Sequence, residues 1–160
     1  MASMKIRLLT LWMLLLAWMP SLWAGGDKDL AQVTFHLETE ASDNPKVIFP
    51  YELLGKQRFF RKVPEITSKD FEAFHPFPSE DQASYGILIK LKGGAGKRLT
   101  AVTTANQGKY MVCQAFGRLT DGLLIDQPVN DGMLVIWKGL VLEEIRELDK
   151  VIPRIGEKKE

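Results

Sequence analysis

Cysteine is almost absent from this 160-residue chain: Cys113 stands alone, which excludes an intramolecular disulfide and leaves stability to a packed core. It falls in the apolar run Tyr110 to Phe116, with no histidine or basic residue adjacent to activate it, and reads as a buried small hydrophobe. Histidine is scarce too, with only His36 and His75 available. Serine-nucleophile and zinc-protease signatures (G-x-S-x-G, H-E-x-x-H) do not occur. Gly93 to Lys97 invites comparison with a phosphate-binding loop, but the first glycine of that motif would fall at Leu91 and its hydroxyl residue at Arg98. These glycines are expected to form a loop between a strand and a helix. Charge of one sign is also missing, and no apolar run after Ala24 is long enough to span a bilayer.

What is present at the amino terminus is a tripartite export signal. Lys5 and Arg7 form a basic start, Leu8 to Trp18 an apolar centre, and Leu22-Trp23-Ala24 ends on a small residue before Gly25. Residues 1–24 are expected to be removed between Ala24 and Gly25, placing the mature chain in the periplasm or outside the cell. An uncleaved anchor is the alternative, because Leu22 is bulkier than the usual small-x-small pattern. No cysteine follows the apolar centre, so lipid attachment is not indicated. Removal takes Trp12, Trp18 and Trp23 away, making Trp137 the sole tryptophan. It also leaves 19 basic against 20 acidic residues. Such balance provides no field for nucleic acid or an anionic membrane. Residues 25–160 suit one compact domain.

Along that domain, Val33, Phe35 and Leu37 alternate with Thr34, His36, Glu38 and Glu40, the pattern of a half-buried strand. Its polar face would then carry His36, Glu38 and Glu40, a weak candidate for a metal site; a solvated strand face is the plainer expectation. Val47-Ile48-Phe49 is a second strand, closed by Pro50. Lys56 to Lys62 interleaves Arg58, Phe59, Phe60 and Arg61, which predicts a strand with one buried Phe and a cationic outer face. Exposure of both phenylalanines would make Arg58, Phe59, Phe60 and Arg61 a protein-contact surface, with Phe77 of the Pro76-Phe77-Pro78 loop a further candidate.

Thr67 with Asp70 forms a capping box, and Phe71 and Phe74 follow at helical spacing, so a short helix is expected to end at His75-Pro76. His75 reads as a boundary residue. Tyr85 to Lys92 is a strand, and the next helix places Ala95, Leu99, Val102 and Asn106 on one face, with Gly108 as its left-handed stop. Tyr110 to Phe116, Leu119 to Ile125 and Met133 to Trp137 predict a three-stranded meander. Its turns fall at Gly117-Arg118 and Asn130-Asp131-Gly132, and Gln127-Pro128 weakens the end of the second strand. Val141, Ile145, Leu148 and Ile152 give a closing helix stopped by Pro153. The fold class is α+β: an antiparallel or mixed sheet with helices packed on one face.

One stretch carries a family likeness. Thr103, Asn106, Gly108 and Lys109 fit a Leu-Thr-x-x-Asn-x-Gly-Lys helix end. Phe116-Gly117 stands where the family has Asp-Gly at a hairpin tip, and Pro128, Gly132 and Gly139 follow in order. Across residues 83–152 the chain resembles the head subdomain of the first periplasmic domain of the protein-export subunit SecD, as a free-standing exported copy without its membrane helices. The resemblance implies a non-enzymatic module that captures polypeptide, with no cofactor. It also makes these motif residues structural, shaping turns rather than doing chemistry.

The expected function is therefore an extracytoplasmic interaction module that binds a polypeptide or an envelope protein through a sheet edge or apolar groove. A small exported hydrolase using paired carboxylates and a purely structural accessory domain are the alternatives. The pattern sets neither the partner nor the oligomeric state.

Overall fold

The computed structural model describes residues 32–157; the expected export signal and its Ala24-Gly25 junction lie outside them. Nine strands and two helices follow in order. They are β1 (Val33–Thr39), β2 (Ile48–Leu53), β3 (Lys56–Arg61), β4 (Ile66–Thr67), β5 (Phe71–Pro78) and β6 (Tyr85–Leu91), then α1 (Gly93–Ala105), β7 (Tyr110–Ala115), β8 (Arg118–Leu124), β9 (Met133–Leu140) and α2 (Leu142–Val151). The α+β class holds, but the strands form two antiparallel sheets. One runs β2-β3-β1-β7-β8, with β4 also on β1; the other runs β5-β6-β9.

One core joins the inner faces of both sheets. Val33, Phe35 and Leu37 of β1 meet Met111, Cys113 and Ala115 of β7, Ile87, Ile89 and Leu91 of β6, and Leu134 and Ile136 of β9. Both helices face it, through Ala95 and Leu99 of α1 and Ile145, Leu148 and Ile152 of α2. Cys113 is fully buried here, and desolvation pushes its thiol pKa up to about 12, as its apolar context implied.

The turns are built as the residues dictate. Leu54-Gly55 and Phe116-Gly117 are adjacent positive-φ pairs at the tips of the β2–β3 and β7–β8 hairpins, the conformation whose twist matches antiparallel strands. Gly108 has φ +82° past α1, where its N–H donates to the Ile125 carbonyl at 2.8 Å. In α2 the Glu144 carboxylate accepts from the Val141 N–H at 2.9 Å, satisfying one orphan donor of the first turn.

Four expectations are corrected. The short helix after Thr67 is a single 3-10 turn, Ser68–Asp70, and Phe71–Pro78 is strand. The Thr67 N–H does donate to the Asp70 carboxylate at 2.9 Å. Helical spacing of Phe71 and Phe74 arises from a β-bulge between Phe71 and Ala73, which shifts strand parity and lets both rings enter the core. Pro76 and Pro78 then favour extended backbone in the residues before them. Second, β2 runs through Pro50, tolerated because β2 is an edge strand paired only with β3. Third, Gly93, Gly94 and Gly96 lie within α1 rather than in a loop; a Cβ on Gly96 would come within 3.4 Å of the Gly132 Cα.

The fourth correction concerns the meander. β9 pairs with β6, not with β8, so the three apolar runs divide between the two sheets. Side chains on α1 make the divergence. The Thr100 hydroxyl donates to the Val129 carbonyl at 2.7 Å, and the Val129 N–H donates to the Thr103 hydroxyl at 2.9 Å. Pinned at Val129, the chain crosses to the second sheet, where the Leu91 N–H donates to the Gly132 carbonyl at 2.9 Å and the β6–β9 ladder begins.

Candidate functional site

The His36-Glu38-Glu40 face does not form a metal site; no group of three or more candidate ligands occurs among the described residues. His36 is buried where solvent exposure is expected, because the β2–β3 hairpin curls over the outer face of β1. Its Nδ1 donates to the Arg61 carbonyl at 2.8 Å, and its Nε2 lies 2.8 Å from the Thr34 hydroxyl. Phe49 meets the imidazole edge-on at 5.4 Å. Burial lowers the His36 pKa more than its backbone hydrogen bond raises it, so the ring is neutral with both nitrogens committed. Glu38 is tied to Arg58 at 2.6 Å and accepts from the Tyr110 N–H at 2.8 Å, whereas Glu40 is exposed.

The same hairpin resolves the interleaved aromatics. Phe60 is fully buried and Phe59 half-buried, so the pair does not make an exposed aromatic surface. Arg58 lies 4.3 Å above the Tyr110 ring, an internal staple, and Arg61 is exposed beside Glu65. Leu53 packs so tightly on β8 that a Cβ on Gly122 would stand 2.6 Å from its Cδ1.

The likeness-bearing residues are structural in the fold. Thr103 is buried as the Val129 pin, and the Asn106 amide donates to the Val102 carbonyl at 2.8 Å. Lys109 follows the α1 stop, where its N–H donates to the Asn106 carbonyl, and Pro128 is half-buried in the crossing loop. Gly139, at φ +99°, lets β9 approach β8: a Cβ there would stand 3.0 Å from the Thr120 carbonyl.

That close approach sets up the best candidate site. β8 and β9 each border their own sheet and share no ladder. They are clamped at one end by Asp121, whose carboxylate accepts the Gly122 N–H at 2.9 Å and the Trp137 N–H at 2.8 Å. Toward Leu124 and Met133 the strands diverge around a groove of about 250 Å³, lined by Leu123, Leu124, Met133, Val135 and Trp137, with Asp126 at its rim. In an antiparallel strand, the N–H and C=O of alternate residues point to the same side. Since the Trp137 N–H points to β8 and Leu134 pairs with Ile89 of β6, the Val135 backbone groups face the groove. The Ile125 backbone bonds back to Lys109 and Gly108, so by the same alternation the Leu124 backbone groups face the groove from the opposite side. Among the described residues, two backbone edges without a partner strand therefore border one apolar cleft. Periodicity marked both strands, yet nothing local in sequence shows that they part.

Phe77, the remaining contact candidate, belongs to the outer face of the second sheet. Its ring meets Trp137 edge-to-face, centroids 6.2 Å apart, and Trp137 is 61% exposed. Gly86 of β6 permits this: a Cβ there would fall 2.5 Å from both the Phe77 ring and the Ile136 carbonyl. The Pro76-Phe77-Pro78 segment is thus strand rather than loop. His75 is exposed beside a shallow cavity of about 670 Å³ lined by Asp149, Pro153 and Arg154.

No protein-family model and no curated protein matches the chain. Among solved structures, the fold is similar to that of SecDF, described as a membrane component that enhances protein export, at 19% identity and a TM-score of 0.51. The match covers 72% of this chain and 59% of that one, so the chain spans about three fifths of its length. A second SecDF structure, in a super-membrane-facing form, aligns at 19% identity over 69% of this chain and 17% of the other, with a TM-score of 0.48. The first likeness shows a shared, SecD-like head fold. No helix among the described residues is long and apolar enough to cross a membrane.

Proposed function

We propose that this chain is an extracytoplasmic, non-enzymatic module that binds extended polypeptide by strand addition in the cleft between β8 and β9. The observation that carries this is the Val135 backbone edge, unpaired among the described residues and set in apolar side chains: main-chain hydrogen bonds supply affinity, and the flanking side chains supply selectivity. A fold shared with a component that enhances protein export supports the same reading. Two carboxyls bear on the hydrolase alternative. Asp70 and Asp81 are both held below the usual carboxylate range, Asp81 chiefly by the Ser79 hydroxyl and Asp70 by the Thr67 N–H and Arg98 against the opposing effect of burial. These two are ionised and unsuited to act as general acids.

Val135→Pro tests the proposal, because it deletes an N–H that points away from the β6 ladder. Fluorescence anisotropy with a labelled peptide of alternating apolar and polar residues is expected to show binding to the parent chain and about tenfold or greater loss in the variant. Equal affinity in both proteins, or no binding to either, overturns it.

A further inference from the structure

Trp137, at the end of the open stretch of β9, lines both the cleft and a second groove, of about 630 Å³. Phe77 and Pro78 form an apolar wall, Trp137 offers a largely open face, and Glu80, Asp81 and Lys138 form the rim. Asp81 is fixed in place, accepting from the Ser79 hydroxyl at 2.6 Å and from the Ala83 N–H at 3.0 Å. Those bonds hold its carboxyl below the ordinary range, and Lys138 lies close enough to reinforce the effect. One cation against two carboxylates leaves the rim with a net negative charge.

An open indole face, an apolar wall and uncompensated carboxylate together match one side chain best. Arginine has an apolar stem for the wall and a planar guanidinium that stacks on tryptophan while donating to carboxylates. Lysine satisfies the charge but not the planar stacking, and a neutral residue satisfies only the wall.

Resting on polypeptide binding at β9, we infer that the groove is a specificity pocket for a basic side chain: the cleft selects extended segments carrying an arginine just beyond their apolar stretch, seated on Trp137 against Glu80 and Asp81. Polypeptides with an acidic residue there are rejected by the same carboxylates.

The test uses one labelled apolar peptide in four versions, with Arg, Lys, Gln or Glu at the flanking position, titrated against the full chain at low and high salt. The expected order is Arg, then Lys, then Gln, then Glu, with Arg about tenfold tighter than Gln and the gap narrowing as salt rises. Glu80→Gln, an exposed side chain that takes no part in the Ser79–Asp81 and Ala83–Asp81 hydrogen bonds, is expected to reduce the Arg-to-Gln ratio, and Trp137→Leu to reduce the Arg-to-Lys ratio. If all four peptides bind equally, the arginine pocket is overturned while strand addition stands. If none binds, strand addition fails and the pocket with it.

Discussion

The β5-β6-β9 sheet has two edges, and the molecule treats them in opposite ways. At β5 the chain supplies its own extra strand. The Phe74 N–H donates to the Pro153 carbonyl at 3.0 Å, and the Ile155 N–H donates to the Phe74 carbonyl at 2.9 Å, in a short parallel bridge. Arg154 locks this strap, lying 4.9 Å from the Phe74 ring centre and forked onto Asp149, with Nη2–Oδ2 at 2.8 Å. At β9, Asp121 caps the Trp137 N–H and Asp131 the Met133 N–H at 2.9 Å, and among the described residues the Val135 backbone between them is left without a partner strand. Exposed edges invite pairing with other chains, and native proteins usually blunt them. Under the proposed strand addition, the edge that the described residues leave open and set in apolar side chains is the one a polypeptide would take.

The contrast breaks first, and by the largest amount, at Phe74→Ala. Its ring is fully buried and carries Arg154, so about 3–5 kcal/mol of stability should be lost, read by urea denaturation. Next, Gly86→Ala pushes a methyl against the Phe77 ring and the Ile136 carbonyl. A cost of about 1–3 kcal/mol is expected, together with loss of the Phe77–Trp137 contact, which tryptophan fluorescence reports.

A matched pair of prolines sharpens the comparison directly. Ile155→Pro removes a hydrogen bond that closes β5 and should cost about 1–2 kcal/mol, whereas Val135→Pro removes none and should stay within about 0.5 kcal/mol. Equal losses at both positions in thermal melts would mean that the edges do not differ.

The smallest effect concerns pH and lies away from either edge. The folded His36 pKa is depressed by burial, so below about 6.5, the ordinary imidazole value, the unfolded chain takes up a proton that the folded chain refuses. This contribution is complete above that value and is lost as pH falls toward the folded pKa. His36→Gln should flatten the decline in denaturation midpoints measured across that window.

Much of the fold was legible because it is locally determined. Alternation in Val33 to Leu37 and in Ile87 to Leu91 marks strands whose inner residues are all buried. The Thr67–Asp70 box, the Gly108 stop and the Ile145, Leu148 and Ile152 stripe of α2 agree with the pattern, while Val141 at its head is exposed. The candidate site was less legible. His36 reads as exposed because its own strand cannot show that a hairpin folds over it. Phe71 and Phe74 read as helical because a bulge imitates a three-residue repeat.

By itself, then, the amino-acid sequence determined most of the extended and helical segments and their turns, Phe71 to Pro78 and Gly93 to Gly96 excepted, since periodicity, caps and glycine conformations act within a few residues. Only the tertiary structure decided which strand edges stay open. The Thr100 and Thr103 hydroxyls draw Val129 across to α1 and separate β9 from β8, while Pro153 and Ile155 close β5 from the far end of the chain. Those contacts join residues remote in sequence, and strand pairing is settled by what packs nearby in space rather than by the pattern within a strand.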